Sequence, residues 1–180
     1  SVIMSLHELD LAGRISDKIA CVRGDKVDRF GTPEEIFTEG YIPKLYGMTV
    51  GTYDELTGDL ELPAVEGEPK VFDIAGNGTG TAVFRRLQRE RIPFAAGILW
   101  ENDLDYPSAR DLAVRTVSVP AFQQISSGAL EEAKGLIDSC DSVLCPLEPL
   151  ETEAGTGMAA GLSELLAYAR SSGKIRTELP

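Results

Sequence analysis

The chain has 180 residues, and 29 acidic against 17 basic side chains leave a formal net charge of −12. That excess excludes a nucleic-acid backbone binder and a basic membrane-docking surface, since both need Lys and Arg facing phosphates. Hydrophobic residues make up 43%, enough for a packed core, and the length suits one domain, or one plus an appendage. No apolar run reaches the ~20 residues of a membrane-spanning helix, and the start lacks the order of a signal peptide. Cys21, Cys140 and Cys145 have no CxxC spacing and read as small buried hydrophobes of a reduced, cytoplasmic protein. A single histidine, His7, argues against a zinc site.

The chain opens on an apolar run, Val2-Ile3-Met4-Ser5-Leu6, with the composition of a buried strand. A strand starting at residue 2 is the expectation for a segment of something longer. Leu9, Leu11, Ala12, Ile15 and Ile19 then follow helical spacings. Segments 19–23 and 27–30 flank Gly24-Asp25-Lys26 and read as a hairpin. Thr32-Pro33-Glu34-Glu35 supplies a cap, a proline at the first helical position and an acid three residues after the cap, which predicts a short helix. Residues 49–69 hold six acids, two prolines and no basic residue, and read as a linker.

Beyond the linker, strand-like and helix-like segments alternate. Strands are expected at 70–74, 94–99, 116–119 and 142–147, and helices at 81–91, 108–115, 128–140 and 158–172. Four βα units in succession predict a parallel sheet flanked by helices, with a Gly-rich turn after its first strand.

The first 48 residues resemble the end of the ATPase domain of ABC transporters. Val2-Ile3-Met4-Ser5-Leu6-His7-Glu8-Leu9-Asp10-Leu11-Ala12 is similar to that family's switch-histidine segment, closest to importers of iron-siderophore and cobalamin type. Ile15-Ser16-Asp17-Lys18-Ile19 and the hairpin through Gly24-Asp25-Lys26 continue the likeness. Gly31-Thr32-Pro33-Glu34-Glu35-Ile36-Phe37 and the segment Tyr41 to Gly47 complete it, in the family's order. The resemblance implies a parent protein that binds ATP and Mg, hydrolyses ATP to drive transport, and works at the inner face of the membrane with permease subunits. It implies for His7 the role of the switch histidine that contacts the γ-phosphate. The chain itself contains no GxxxxGK[ST] string, no LSGGQ-like signature and no apolar strand ending in Asp-Glu. Hydrolysis by this chain alone is therefore not expected.

The reading is thus a Rossmann-like α/β unit at 70–180, a linker at 49–69 and a partial ABC ATPase segment at 1–48. The candidate ligand site lies on three loops of the C-terminal unit. Gly76, Asn77, Gly78, Thr79, Gly80 and Thr81 sit between a strand and a helix, where an anion meets free backbone N–H groups. Thr81 stands where a dinucleotide fingerprint wants glycine. A phosphate or nucleotide pocket of another kind, or a tight turn without ligand, remain the two readings. Glu101 and Asp103, beside Trp100, suit ribose hydroxyls with an aromatic to stack on a base, or form a solvated loop in which Asp105 or Ser108 caps a helix. Gly155, Thr156 and Gly157 precede the last helix, as a second anion-facing terminus or as plain punctuation.

Two functions follow as expectations. One is an accessory, regulatory domain sensing a small anionic or nucleotide-like ligand. The other is a structural module that dimerises ATPase subunits through the stripe Leu162, Leu165, Leu166 and Tyr168, a stripe equally suited to core packing.

Overall fold

The computed structural model describes residues 1–38, 40–47, 52–53, 60–146 and 160–177. Within them the chain divides into two units, Ser1–Pro63 and Ala64–Pro180.

In the first unit, residues 1–8 carry no regular structure, and Val2 and Ile3 are 81% and 99% exposed. The strand expected over 2–6 is not formed. An extended segment needs a neighbouring strand to satisfy its N–H and C=O groups, and none of the described residues pairs with it. Helix α1 (Leu9–Ile15) is followed by β1 (Ile19–Arg23) and β2 (Lys26–Gly31), an antiparallel hairpin turning at Gly24 and irregular between Cys21 and Val22. Helix α2 (Pro33–Ile36) starts on the expected cap: the Thr32 N–H donates to Glu35 Oε2 at 2.9 Å. With α3 (Tyr41–Leu45) these elements enclose a small core of Cys21, Ile36, Tyr41 and Ile42. The Tyr41 hydroxyl donates to Asp28 Oδ2 at 2.8 Å, and the Arg29 guanidinium lies 3.9 Å above its ring. Inside the stretch expected to be a linker, β3 (Thr52–Tyr53) pairs antiparallel with β4 (Leu60–Glu61).

The second unit is the expected α/β sheet. Its strands are β5 (Val71–Asp73), β6 (Phe94–Trp100), β7 (Arg115–Val119), β8 (Ser142–Leu144) and β9 (Ile175–Arg176), the last a strand that the sequence pattern did not predict. All pair in parallel, in the order β7-β6-β5-β8-β9. Helices α4 (Thr81–Arg89), α5 (Tyr106–Leu112), α6 (Ser127–Ser139) and α7 (Ala160–Ser171) cover the two faces.

Strand alternation decides which face each side chain enters. Phe72, Ile74, Ala95, Ile98 and Val117 pack with Leu130, Ala133 and Ile137 of α6 and Leu165, Leu166 and Ala169 of α7. Val71, Ala75, Phe94, Ala96 and Leu99 pack with Phe84 and Leu87 of α4 and Ala109 and Leu112 of α5. Both faces being apolar explains why the strands read as continuous hydrophobic runs. Emptying one aromatic position such as Phe84, stacked on Phe94 at 5.3 Å, costs about 3–5 kcal/mol.

Two details hold the sheet's geometry. Between Ala96 and Leu99 the register of β6 against β7 slips. There Gly97, with φ +147°, lies so close that a Cβ would stand 2.6 Å from the Val117 carbonyl oxygen. At the far end of α6, the Lys174 ammonium donates to the carbonyls of Ile137, Asp138 and Cys140 at 3.0, 2.7 and 2.8 Å. These are groups that a helix leaves unpaired at its C-terminus.

Candidate functional site

The chain leaves β5 in one direction to form β6 and β7, while β8 and β9 add on its other side. In such a sheet the crevice at the carboxyl ends of the two strands flanking the reversal is the place for ligands. Here those strands are β5 and β8, and the Gly-rich turn follows β5.

The turn is built by its own composition. Asn77 and Gly78 have φ of 55° and 83°, left-handed values that Asn and Gly tolerate best. The Thr79 hydroxyl donates to the Gly76 carbonyl at 2.8 Å and the Gly76 N–H returns to that hydroxyl at 3.3 Å, closing the turn. Gly80 permits the descent into α4, since a Cβ there would meet the Ala75 Cβ at 2.5 Å.

Its N–H groups already face an anion, supplied by the protein. The Asn77 N–H lies 3.0 and 3.1 Å from the two carboxylate oxygens of Asp103. The Gly80 and Thr81 N–H groups donate to Asp105 at 3.0 and 2.9 Å, and the Thr81 hydroxyl donates to it at 2.8 Å. Asp103 also accepts the Asp105 N–H at 2.9 Å, so the two acids stiffen one loop. Asp105 stands at the cap position of α5 but makes no cap bond there; its carboxylate serves the start of α4 instead.

Beneath the turn lies Asp73, the last residue of β5. It is completely buried, and neither carboxylate oxygen has a hydrogen-bond partner. Burial first, and then the negative charge of Asp105, hold its carboxyl well above the usual carboxylate range. No ion pair reaches Asp73, Asp103 or Asp105 among the described residues.

Of the expected ligand residues, Gly76, Asn77, Gly78, Thr79, Gly80 and Thr81 come together with Asp103. Glu101 does not join them: it is exposed, and its N–H donates to the Val119 carbonyl at 3.0 Å. Trp100 donates its indole N–H to the Gln123 carbonyl at 2.8 Å and packs against the α6 and α7 face, so its ring is committed to structure. Gly155, Thr156 and Gly157 lie outside the described residues. His7 is exposed in the irregular opening segment. The stripe of α7 is spent on the core: Leu165 and Leu166 are buried, Leu162 packs against them, and the Tyr168 hydroxyl bonds Asp138.

Asp73 and Asp105 are the two site residues that sequence reasoning did not place in the site. Asp73 carried a signal, an acid inside the apolar run Val71-Phe72-Asp73-Ile74. Asp105 carried none, because its partners are 24 and 25 residues away.

Comparison with known proteins adds the family context. An ABC transporter ATP-binding protein of uncharacterised role from Methanocaldococcus jannaschii, MJ0873, is 34% identical over 103 residues, covering 55% of this chain and 34% of that protein. The cobalamin import ATP-binding protein BtuD of Halobacterium salinarum is 26% identical over 182 residues, covering 96% of this chain and 46% of the relative. The chain thus spans between a third and just under half of the length of these relatives. No solved structure matches it significantly. No helix among the described residues is long and apolar enough to cross a membrane. Residues 94–177 match the model of the MJ0874 family, and the chain is similar to ABC transporter ATP-binding proteins over part of their length.

Proposed function

We propose that residues 64–180 are the regulatory accessory domain of an ABC importer's ATP-binding protein, one serving uptake of cobalamin or an iron chelate. The relatives' names support the setting, and the occupied turn carries the reading: Asn77, Gly80 and Thr81 hold carboxylates where a ligand's phosphate is bound in sheets of this class. Asp103 is half-exposed whereas Asp105 is buried. A phosphorylated or nucleotide-like ligand therefore displaces Asp103 from the Asn77 N–H and frees the loop between β6 and α5, while Asp105 keeps α4 capped. Movement of that loop is the signal passed to the ATPase.

In this reading residues 1–48 belong to an ATPase domain completed by sequence outside this chain. Exposed Val2, Ile3, Val22, Val27 and Phe30 suit a face that such a domain covers. His7 is the position that matches that family's switch histidine, whose imidazole N–H donates to the γ-phosphate of ATP. The Mg ion and the phosphate cradle belong to the remainder of the parent, which pairs with permease subunits at the inner face of the membrane. Dimerisation through α7 is not favoured, because its apolar stripe is buried in the sheet.

A thermal-shift screen against nucleotides, phosphorylated metabolites and corrinoids tests the sensor. One class is expected to raise the melting temperature, and Asp103→Asn, which weakens the internal competitor, is expected to bind that class more tightly. A flat response of both proteins to every class overturns the reading.

A further inference from the structure

Asp73 presents a problem of charge that the turn does not solve. A buried carboxylate is ordinarily paired, hydrogen-bonded or metal-bound, and both oxygens of Asp73 are free of partners in the middle strand of the sheet. Strand register places Asp73 level with Leu144 and Ala96, on the face that α4 covers. Asp105 reaches the first residues of that helix from the neighbouring loop. The N-terminus of α4 contributes roughly half a positive charge, which is matched by Asp105 and leaves Asp73 uncompensated.

The donors offered by Asp73 and Asp105 are all oxygen, and so select a hard cation. Asp73 offers two unengaged oxygens, and Asp105 Oδ2, which accepts only the Gly80 N–H, retains a lone pair, whereas its Oδ1 already accepts two bonds from Thr81. No group of three metal-ligating side chains exists among the described residues. A pair of carboxylates suits Mg2+, which is held through one or two carboxylates, in preference to an ion that demands a full protein cage. Because both acids are completely buried, the ion's remaining ligands enter only as the turn after β5 and the Asp103 loop part.

We propose that Asp73 and Asp105 together hold one divalent cation, Mg2+ or its substitute Mn2+, at the carboxyl end of β5. The cation replaces the missing partner of Asp73 and bridges the middle strand to the acid that caps α4. It also places positive charge beside the turn, where a phosphate otherwise meets a row of carboxylates. The proposal does not depend on the sensor reading, because the ion alone is the ligand.

The test uses the full chain and metal ions alone. Melting is followed in EDTA and in MgCl2, MnCl2 or CaCl2, with ionic strength matched by NaCl, and bound Mn2+ is counted by electron paramagnetic resonance. One Mn2+ per chain and a rise of about 5 °C at saturating Mg2+ or Mn2+ are expected. Asp73→Asn, which cannot ionise, is expected to melt no lower than wild type in EDTA and to lose the response to Mg2+. Glu101→Gln, on the same loop but pointing no bond into the site, keeps that response. Free Mn2+ in the presence of wild-type protein overturns the proposal, as does an undiminished Mg2+ response in Asp73→Asn. Should that variant fail to fold, loss of the single Mn2+ signal in Asp105→Asn supports the pair, and its retention overturns it.

Discussion

Asp105 binds Thr81 twice, through the backbone N–H at 2.9 Å and through the hydroxyl at 2.8 Å, although it stands at the start of a different helix. The same carboxylate takes the Gly80 N–H. One buried acid thus satisfies two of the orphan donors of α4 and ties the loop after β6 to the turn after β5. Replacing it with alanine leaves those donors unpaired in a water-poor site. Asp105→Ala is expected to cost about 3 kcal/mol, read by urea unfolding. Asp105→Asn is expected to cost less, because it retains an acceptor and relieves Asp73 of a like charge.

The slip of β6 depends on the absence of a side chain. At Gly97, φ is +147° and a Cβ would stand 2.6 Å from a backbone oxygen that has no freedom to rotate away. Gly97→Ala is expected to lose about 3 kcal/mol or more. Gly135, in the middle of α6 with open space around it, is the contrast. There Gly135→Ala is expected to stabilise by roughly 0.5–1 kcal/mol, the ordinary helical preference. Opposite signs for these two substitutions in thermal melts are the check.

Lys174 closes the carboxyl end of α6 by donating to three carbonyls. Lys174→Met keeps the aliphatic stem and removes the charge and the donors. A loss of about 2 kcal/mol is expected, together with faster hydrogen exchange in the last turn of α6. Unchanged exchange there would show that the ammonium is not what holds that end.

Cys140 is 2% exposed, and burial pushes its thiol up to about 11. At pH 8 the reactive thiolate is then about a hundredfold scarcer than for an ordinary cysteine. Alkylation of the folded protein is expected to spare Cys140 until the pH rises well above 9, with mass spectrometry identifying the labelled sites. The linkage has a definite sign: the folded state favours the neutral thiol, so its contribution to stability is full below the unfolded value of about 9. It declines as the pH climbs from there toward 11. Cys140→Ala lacks that decline.

Much of the sheet was legible because its strands are buried on both faces, which leaves apolar runs such as Phe94–Leu99 that need no partner to be recognised. Thr32 and Glu35 announced their helix because a capping box is local chemistry. Helix α5 begins at Tyr106 rather than 108, since Pro107 belongs to its first turn and Asp105 gives no local cap. Ile175 and Arg176 are too short a strand to show alternation, and Val2 to Leu6 have strand composition without a sheet to join. In the site, Gly76 to Thr81 were legible as a turn. What fills that turn was not, because the bonds of Asp103 and Asp105 to it are tertiary and leave no periodic trace.

Among the described residues the sheet ends at β9, two residues long, and the Arg176 guanidinium folds back onto the carbonyls of Gly173 and Ile175 at 3.1 and 2.9 Å. An edge strand is a template for another chain when it is long, flat and rich in unpaired carbonyls. This one is short, flanked by two cations, and has a carbonyl already engaged by its own side chain. The protein therefore defends that border against runaway strand addition, and an Arg176→Val substitution would open it to aggregation.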